Sequence, residues 1–173
     1  MKLIYSIHNY DVRLFTWVNN ISIHRQLVQL CRNLSRTGDG LLYVLIAGWR
    51  YLEYGSGDGL LNVMLLAFAL ERPVYFFLKN GFKRNRPQQA LQNFCSVIRP
   101  SDQFSFPSGH TSAAFMVATL LAAFFPILTT VLYLWAVMVG FSRVVLGVHF
   151  PTDTLMGAML GISSAIFSLN YIL

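Results

Sequence analysis

Residues 103–142 contain no Asp, Glu, Lys or Arg, a run of 40. One membrane crossing takes about 20 apolar residues, so this run is too long for a single span. Pro126 sits near its middle, in Phe124-Phe125-Pro126, and marks a tight reversal. We therefore expect one helix over about residues 108–125 and another over about 127–147. A second charge-free run, residues 154–173, is 20 residues long. Upstream, residues 59–78 are apolar apart from Asn62, Glu71 and Arg72, and residues 41–54 apart from Arg50 and Glu53. Gly55-Ser56-Gly57-Asp58-Gly59 is a turn signal that joins these two stretches as a helical hairpin.

The first 36 residues differ. Leu14, Phe15, Trp17, Val18 and Ile21 mix with Asp11, Arg13, Asn19 and Asn20, and Leu27, Val28, Leu30 and Leu34 mix with Arg25, Arg32 and Arg36. This pattern predicts two amphipathic helices, lying at the interface or covering the bundle. Residues 1–20 lack the uninterrupted apolar core and the small-residue cleavage site of a secretory signal. The expected fold is all-α: a polytopic membrane helical bundle of five to six spanning helices, the sixth element being drawn from the N-terminal amphipathic helices. The length of 173 residues fits one domain over 1–173.

Composition narrows the class. Only 12% of residues are charged, about half the 25% of an average soluble domain, yet 13 Lys and Arg against 7 Asp and Glu leave a net charge of +6. A disordered chain would be charge-rich, and a soluble nucleic-acid binder would carry its excess on a more polar background, so no nucleic-acid partner is expected. Cys31 and Cys95 are too few for a disulfide scaffold and match no zinc spacing.

Polar groups in such a chain are costly, and here they fall into three islands. The first runs from Lys79 through Lys83, Arg84 and Arg86 to Pro87. Lys79 and Arg86 are seven apart, which on a continuous helix puts them on one face, with Pro87 as the stop. The second is Phe106-Pro107-Ser108-Gly109-His110-Thr111-Ser112, at the start of an apolar helix. A helix N-terminus presents free N–H groups and a positive dipole end to an anion. Gly109 allows close approach, Ser108 offers a hydroxyl and His110 a proton. The third runs from Ser142-Arg143 to His149, Pro151 and Asp153. Pro151 suits a first helical position. Asp153, four residues after His149, can fix its tautomer and leave the other nitrogen as base or nucleophile. Taken singly, the islands also read as a basic lipid anchor, a serine cap and a turn-satisfying pair. Because crossings alternate, all three land on one face of the bundle.

Together, Lys79 with Arg86-Pro87, Pro107-Ser108-Gly109-His110, and Ser142-Arg143 with His149 and Asp153 resemble the three motifs of the type 2 phosphatidic acid phosphatase superfamily. That superfamily also includes bacterial non-specific acid phosphatases, vanadium haloperoxidases and glucose-6-phosphatase. The motifs match in order over residues 79–153, with no substitution at a catalytic position. The resemblance implies a phosphohistidine mechanism. His149 attacks phosphorus, Asp153 orients it, and His110 protonates the leaving oxygen and then activates water. Lys79, Arg86, Ser108, Gly109 and Arg143 bind the phosphoryl oxygens. It implies no metal and no cofactor, since three cations do what metal ions do elsewhere in phosphoryl transfer.

The expected partners are the bilayer and a membrane lipid phosphate. Within the family, undecaprenyl pyrophosphate is favoured over phosphatidylglycerol phosphate, phosphatidic acid and lipid A phosphates, because Lys83, Arg84 and Arg99 add charge near the site. Lipid-surface anchoring explains those three equally well. The rival functions are a lipid phosphotransferase and a non-catalytic anionic-lipid binder or transporter. The resemblance places the active site on the periplasmic face of a bacterial inner membrane, although a simple Lys/Arg count would put that face inside. Gly157 and Gly161 form a Gly-xxx-Gly pair suited to internal packing or to dimerisation, and oligomeric state is left open. Glu71 and Arg72 are expected to pair with groups such as Arg50 or Glu53.

Overall fold

The computed structural model describes residues 2–20, 25–100 and 102–173. Eight helices follow in order: α1 (Lys2–Asn20), α2 (Arg25–Thr37), α3 (Gly40–Tyr54), α4 (Gly59–Phe82), the single turn α5 (Pro87–Ala90), α6 (Gly109–Phe124), α7 (Thr129–Val145) and α8 (Pro151–Ile172). No strand occurs among the described residues.

The bundle is built around α6. Its sequence, GHTSAAFMVATLLAAF, has no charge and no single polar face, the pattern of a helix buried on all sides. Met116 and Leu120 pack with Leu60, Val63, Met64 and Ala67 of α4 and Ala165 of α8. Ala114 and Ala118 meet Ala136 and Val139 of α7, while Ala113 and Val117 meet Tyr43 of α3. Small residues on α6 and α8 let the two backbones touch. A Cβ added at Gly161 would lie 2.1 Å from the Ser112 carbonyl oxygen, and one at Gly157 would lie 2.5 Å from that of Ser108. The Gly157–Gly161 pair is therefore spent on packing within the chain.

Helix ends follow local chemistry. Asp58 caps α4, accepting from the Leu61 N–H at 2.7 Å and from Arg50 Nε at 3.0 Å, which ties α3 to α4. Arg50 thus pairs with Asp58. Glu71, expected to reach a partner such as Arg50, instead binds its neighbour Arg72 and accepts from Ser112 Oγ at 2.6 Å. A helical neighbour and a serine on α6 are simply closer than α3. Pro126 opens the expected reversal as a 3-10 turn, Pro126–Leu128.

By length and apolar composition, the segments Gly59–Ala90, Pro126–Val145 and Pro151–Ile172 are long enough to cross a membrane. The other two expected spans are shorter: α6 has 16 residues and α3 has 15. A helix enclosed by its neighbours, as α6 is, need not match the lipid thickness alone. The molecule is an integral membrane helical bundle. Among the described residues, neither α1 nor α2 is long and apolar enough to add a crossing. They cover the bundle instead, with Phe15 against Val144 and Phe150, and Cys31 against Val145 and Leu146.

The α6–α8 contact yields a test. Gly161→Ala forces a methyl group into Ser112 and Met116 backbone and should cost about 1–3 kcal/mol or more. Gly48→Ala, where a Cβ meets nothing within 4 Å, should cost no stability. Thermal melts of the detergent-solubilised protein compare the two.

Candidate active site

The first island is not one helix. α4 ends at Phe82, and Lys83 caps it in the left-handed conformation at φ 47°. Arg86 therefore sits beyond a break, and Pro87 opens α5 rather than ending α4. Lys79 and Arg86 are brought together by Asp102, not by a shared helical face. Lys79 Nζ lies 2.8 Å from Asp102 Oδ2, Arg86 pairs with Asp102 Oδ1, and Tyr75 donates its hydroxyl to Oδ2 at 2.8 Å. Arg86 also donates to the Val148 carbonyl at 2.7 Å, which joins the first island to the third. Burial pushes the Asp102 carboxyl up, but hydrogen bonds from Lys79 and Tyr75 outweigh that and hold it at about 2.

The second island opens α6. The Ser108 N–H donates to the Asp153 carbonyl at 2.9 Å, which fixes the start of α6 against α8. Ser108 Oγ meets Thr111 Oγ1 at 2.9 Å and is fully buried, so its hydroxyl is engaged within the helix turn. His110 Nε2 lies 2.7 Å from Asp39 Oδ1. Asp39 belongs to the short α2–α3 turn and was not singled out in the sequence.

The third island turns on Gly147. Its φ of +77° is left-handed, and a Cβ there would come within 2.6 Å of the Phe94 ring. This turn delivers His149, which is only 2% exposed. His149 Nδ1 lies 3.8 Å from Asp153 Oδ2, an ion-pair distance rather than a hydrogen bond, and it has no hydrogen-bond partner among the described residues. Asp153 itself is fully held. Oδ2 accepts from the Phe150 N–H at 2.8 Å, and Oδ1 from Arg84 Nη1 at 2.8 Å. Burial, helped by the Arg143 and Arg86 charges and opposed by Asp153, pushes the His149 imidazole down to about 4.

One cavity of about 470 Å³ gathers Arg86, Gly109, His110, Arg143 and His149, with Asp39, Tyr75 and Asp102 on its wall. The structure thus brings all three islands to one end of the bundle, as the alternation of crossings implies. At the other end, Gly59 lies beside Phe124 and Leu173. Lys79, Ser108 and Asp153 stand behind the lining. Of the three extra cations, Arg84 does not face the cavity. Its guanidinium bridges the buried Asp11 and Asp153 and lies 4.5 Å from the centre of the Phe150 ring. Lys83 is exposed at its helix cap.

A model of the PAP2 superfamily matches residues 59–173. The chain belongs to the PAP2 superfamily. It is 39% identical over 132 residues to phosphatidylglycerophosphatase B of Bacillus subtilis, covering 70% of this chain and 61% of the relative. It is 41% identical over 69 residues to an undecaprenyl-diphosphatase of Sulfolobus acidocaldarius, covering 36% and 31%. The chain thus spans less than two thirds of these curated relatives. Among solved structures, it superposes on Aquifex aeolicus LpxE with a TM-score of 0.82 at 30% identity, covering 92% of this chain and 94% of that one. It also superposes on a PAP2-type phosphatidylglycerolphosphate phosphatase of Bacillus subtilis with a TM-score of 0.80 at 29% identity, covering 96% and 86%.

The matched PAP2 residues leave out α1, α2 and α3, yet those helices and their turns brace the site. Asp11 accepts from Arg84 at 2.6 Å and from the Thr152 N–H at 2.9 Å. Ser35 Oγ accepts from Arg143 Nη1 at 2.5 Å, and Asp39 holds His110. Asp11 was visible only as an acid on an amphipathic helix. The one sequence signal for Asp102 was its place as the first acid after six cations.

Arg84 is the cation for two buried carboxylates, so Arg84→Gln should be severe. Leaving Asp11 and Asp153 without it should cost about 3–5 kcal/mol, read as a fall in melting temperature. Lys83→Gln, at the adjacent but exposed residue, should change stability little.

Proposed function

We propose that this PAP2 protein hydrolyses the phosphomonoester or pyrophosphate of a membrane lipid through a phosphohistidine on His149. The supporting observation is that two histidines in different environments, His149 and His110, share one cavity with Arg86 and Arg143. Phosphoryl transfer needs a nucleophile, an acid and fixed positive charge around three equatorial oxygens. His149 has the neutral lone pair that a nucleophile requires, because burial keeps it unprotonated at pH 7. Asp153 faces its Nδ1 side, which leaves Nε2 for phosphorus. Lys79 and Arg86 already clasp one oxyanion, the Asp102 carboxylate, and an arriving phosphoryl group takes its place. Arg143 and the Gly109 N–H at the α6 N-terminus complete the cradle, with Ser108 bracing that N-terminus.

In the first step the His149 N–P bond forms and the P–O bond to the lipid breaks. His110, holding its proton between Asp39 and the arriving phosphoryl anion, passes it to the leaving oxygen. In the second step His110 takes a proton from water, the hydroxide attacks phosphorus, and inorganic phosphate leaves as His149 is freed. Asp39 holds His110 in place for both transfers. Positive side chains carry the charge stabilisation, so no metal is needed in this scheme.

Names among the relatives include both a phosphatidylglycerophosphatase and an undecaprenyl-diphosphatase, which supports a lipid phosphate as substrate class. Undecaprenyl pyrophosphate is our favoured member. The site is proposed to face the periplasm of a bacterial inner membrane, with residue 173 on the cytoplasmic side. A reporter fused after Leu173 that is active only outside the cell overturns that orientation.

Purified protein should release phosphate from a lipid phosphate in the presence of a chelator, and His149→Ala should abolish it. Release that survives the substitution sinks the covalent mechanism. The pH profile gives a second test, because kcat/KM reports the free enzyme. As pH falls through about 4, protonation of His149 removes the nucleophile. The acid limb should therefore lie near pH 4, and a limb near 6.5 would count against His149 as the neutral attacker.

A further inference from the structure

A second cavity, of about 260 Å³, adjoins the first on the His110 side. Arg32 and Arg36 of α2, Arg99 of the 91–108 loop and Arg143 of α7 line it. His110, Arg143 and Asp39 border both cavities, whereas His149 borders only the first. Asp39 is the single acid there, and its carboxylate is already engaged by His110 at 2.7 Å. Four arginines thus face a space with one carboxylate, so positive charge exceeds negative there by three. Two of them are left unsatisfied. Arg143 is 3% exposed and its Nε has no hydrogen-bond partner among the described residues. Arg32 donates Nη2 to the Val97 carbonyl at 3.3 Å, and its buried Nε is likewise unpartnered. A buried guanidinium N–H without an acceptor is costly, and an anion in this cavity is the group that would supply one.

We infer that this arginine pocket is the subsite for the second phosphate of a lipid diphosphate. The inference rests on the hydrolytic reading above and names the substrate class. Reaction geometry sets the place. His149 attacks the terminal phosphorus from one side, and the leaving oxygen departs on the other, beside His110. In a diphosphate that leaving oxygen is the bridging one, and it is carried by the lipid-linked phosphate. The second phosphate must therefore lie past His110, away from His149, where Arg32, Arg36 and Arg99 stand. The bridging P–O bond breaks as the His149 N–P bond forms. The lipid monophosphate leaves with the His110 proton, and its remaining charge is met by the arginines. A lipid monoester would leave this pocket empty of phosphate. Two of the four arginines come from α2, outside the residues that the superfamily model matches.

The test uses the exposed residues, Arg36 and Arg99, whose loss should not unfold the chain. Wild type and the Arg36→Gln/Arg99→Gln variant are assayed in the same micelles with a polyprenyl diphosphate and the polyprenyl monophosphate of equal tail length. The ratio of kcat/KM for diphosphate over monophosphate should fall roughly tenfold in the variant. An unchanged ratio overturns the inference, whether both activities fall together or neither does. Inhibition gives an independent readout. Inorganic pyrophosphate should inhibit wild type more strongly than inorganic phosphate does, and the variant should lose most of that preference. Equal inhibition of wild type by the two ions also overturns it. His149→Ala, run on both substrates, separates the two readings: release that persists there overturns the hydrolytic mechanism itself, whatever the ratio shows.

Discussion

The end of the bundle that carries the motifs is organised around one buried carboxylate, Asp153. It lies in the first turn of α8 and takes the Phe150 N–H, so it caps its own helix. Its second oxygen takes Arg84, which brings in the segment after α4. Its main-chain carbonyl takes the Ser108 N–H and so fixes the start of α6. His149 faces the side chain at 3.8 Å. A charge buried this deeply is tolerable only with every lone pair met. The requirement does structural work, because meeting it forces three chain segments, far apart in sequence, into one register.

The same need for compensation explains the N-terminal helices. Arg84 serves Asp153, and its other nitrogen must also be satisfied, which Asp11 of α1 does. Arg143 at the end of α7 is met by Ser35 of α2. These contacts are second in the chain of cause. The motif residues are fixed by the chemistry they meet, and the braces are fixed by the residual hydrogen-bonding capacity of the motif residues. Phe15 and Cys31 then add apolar contact under the same loop, so α1 and α2 are held by both polar and apolar terms.

That order of causes decides what could be read without coordinates. Lys79, Arg86, His110, Arg143, His149 and Asp153 stand in short local patterns, and the alternation of apolar spans places those patterns on one face. The helices were legible for the same reason, since absence of charge is a local signal. The braces had no such signal. Asp11 meets Thr152 from 141 residues away and Asp39 meets His110 from 71, and nothing near either acid in sequence marks it. The expectation of a shared helical face for Lys79 and Arg86 failed for a related reason. Spacing implies a face only while the helix continues, and Lys83 ends it. Glu71 met its neighbour Arg72 and a serine on α6 rather than an ion on α3, because proximity in a packed bundle is set by α6, the helix that packs against α3, α4, α7 and α8.

Charge placement changes meaning once partners are known. By sequence, the excess of +6 falls on Arg72, Lys79, Lys83, Arg84, Arg86 and Arg99, with no acid between Arg72 and Asp102. In the folded chain four of those six are matched: Arg72 by Glu71, Lys79 and Arg86 by Asp102, and Arg84 by Asp11 and Asp153. Taken together these four cations face four acids, Glu71, Asp102, Asp11 and Asp153, so as a set they are nearly neutral and contribute little field at a distance. The acids that match them are drawn from elsewhere in the chain, and this moves the excess. Asp11 pairs with Arg84, and Asp39, the one acid lining the cavity with Arg32 and Arg36, also holds His110. Among the described residues Lys83 stays exposed and without an acid partner at the motif-bearing end, and four further cations, Arg32, Arg36, Arg99 and Arg143, gather there. Those four line one cavity beside the proposed acid. Four guanidinium groups around one carboxylate leave that cavity with an excess of positive charge that an anion would offset.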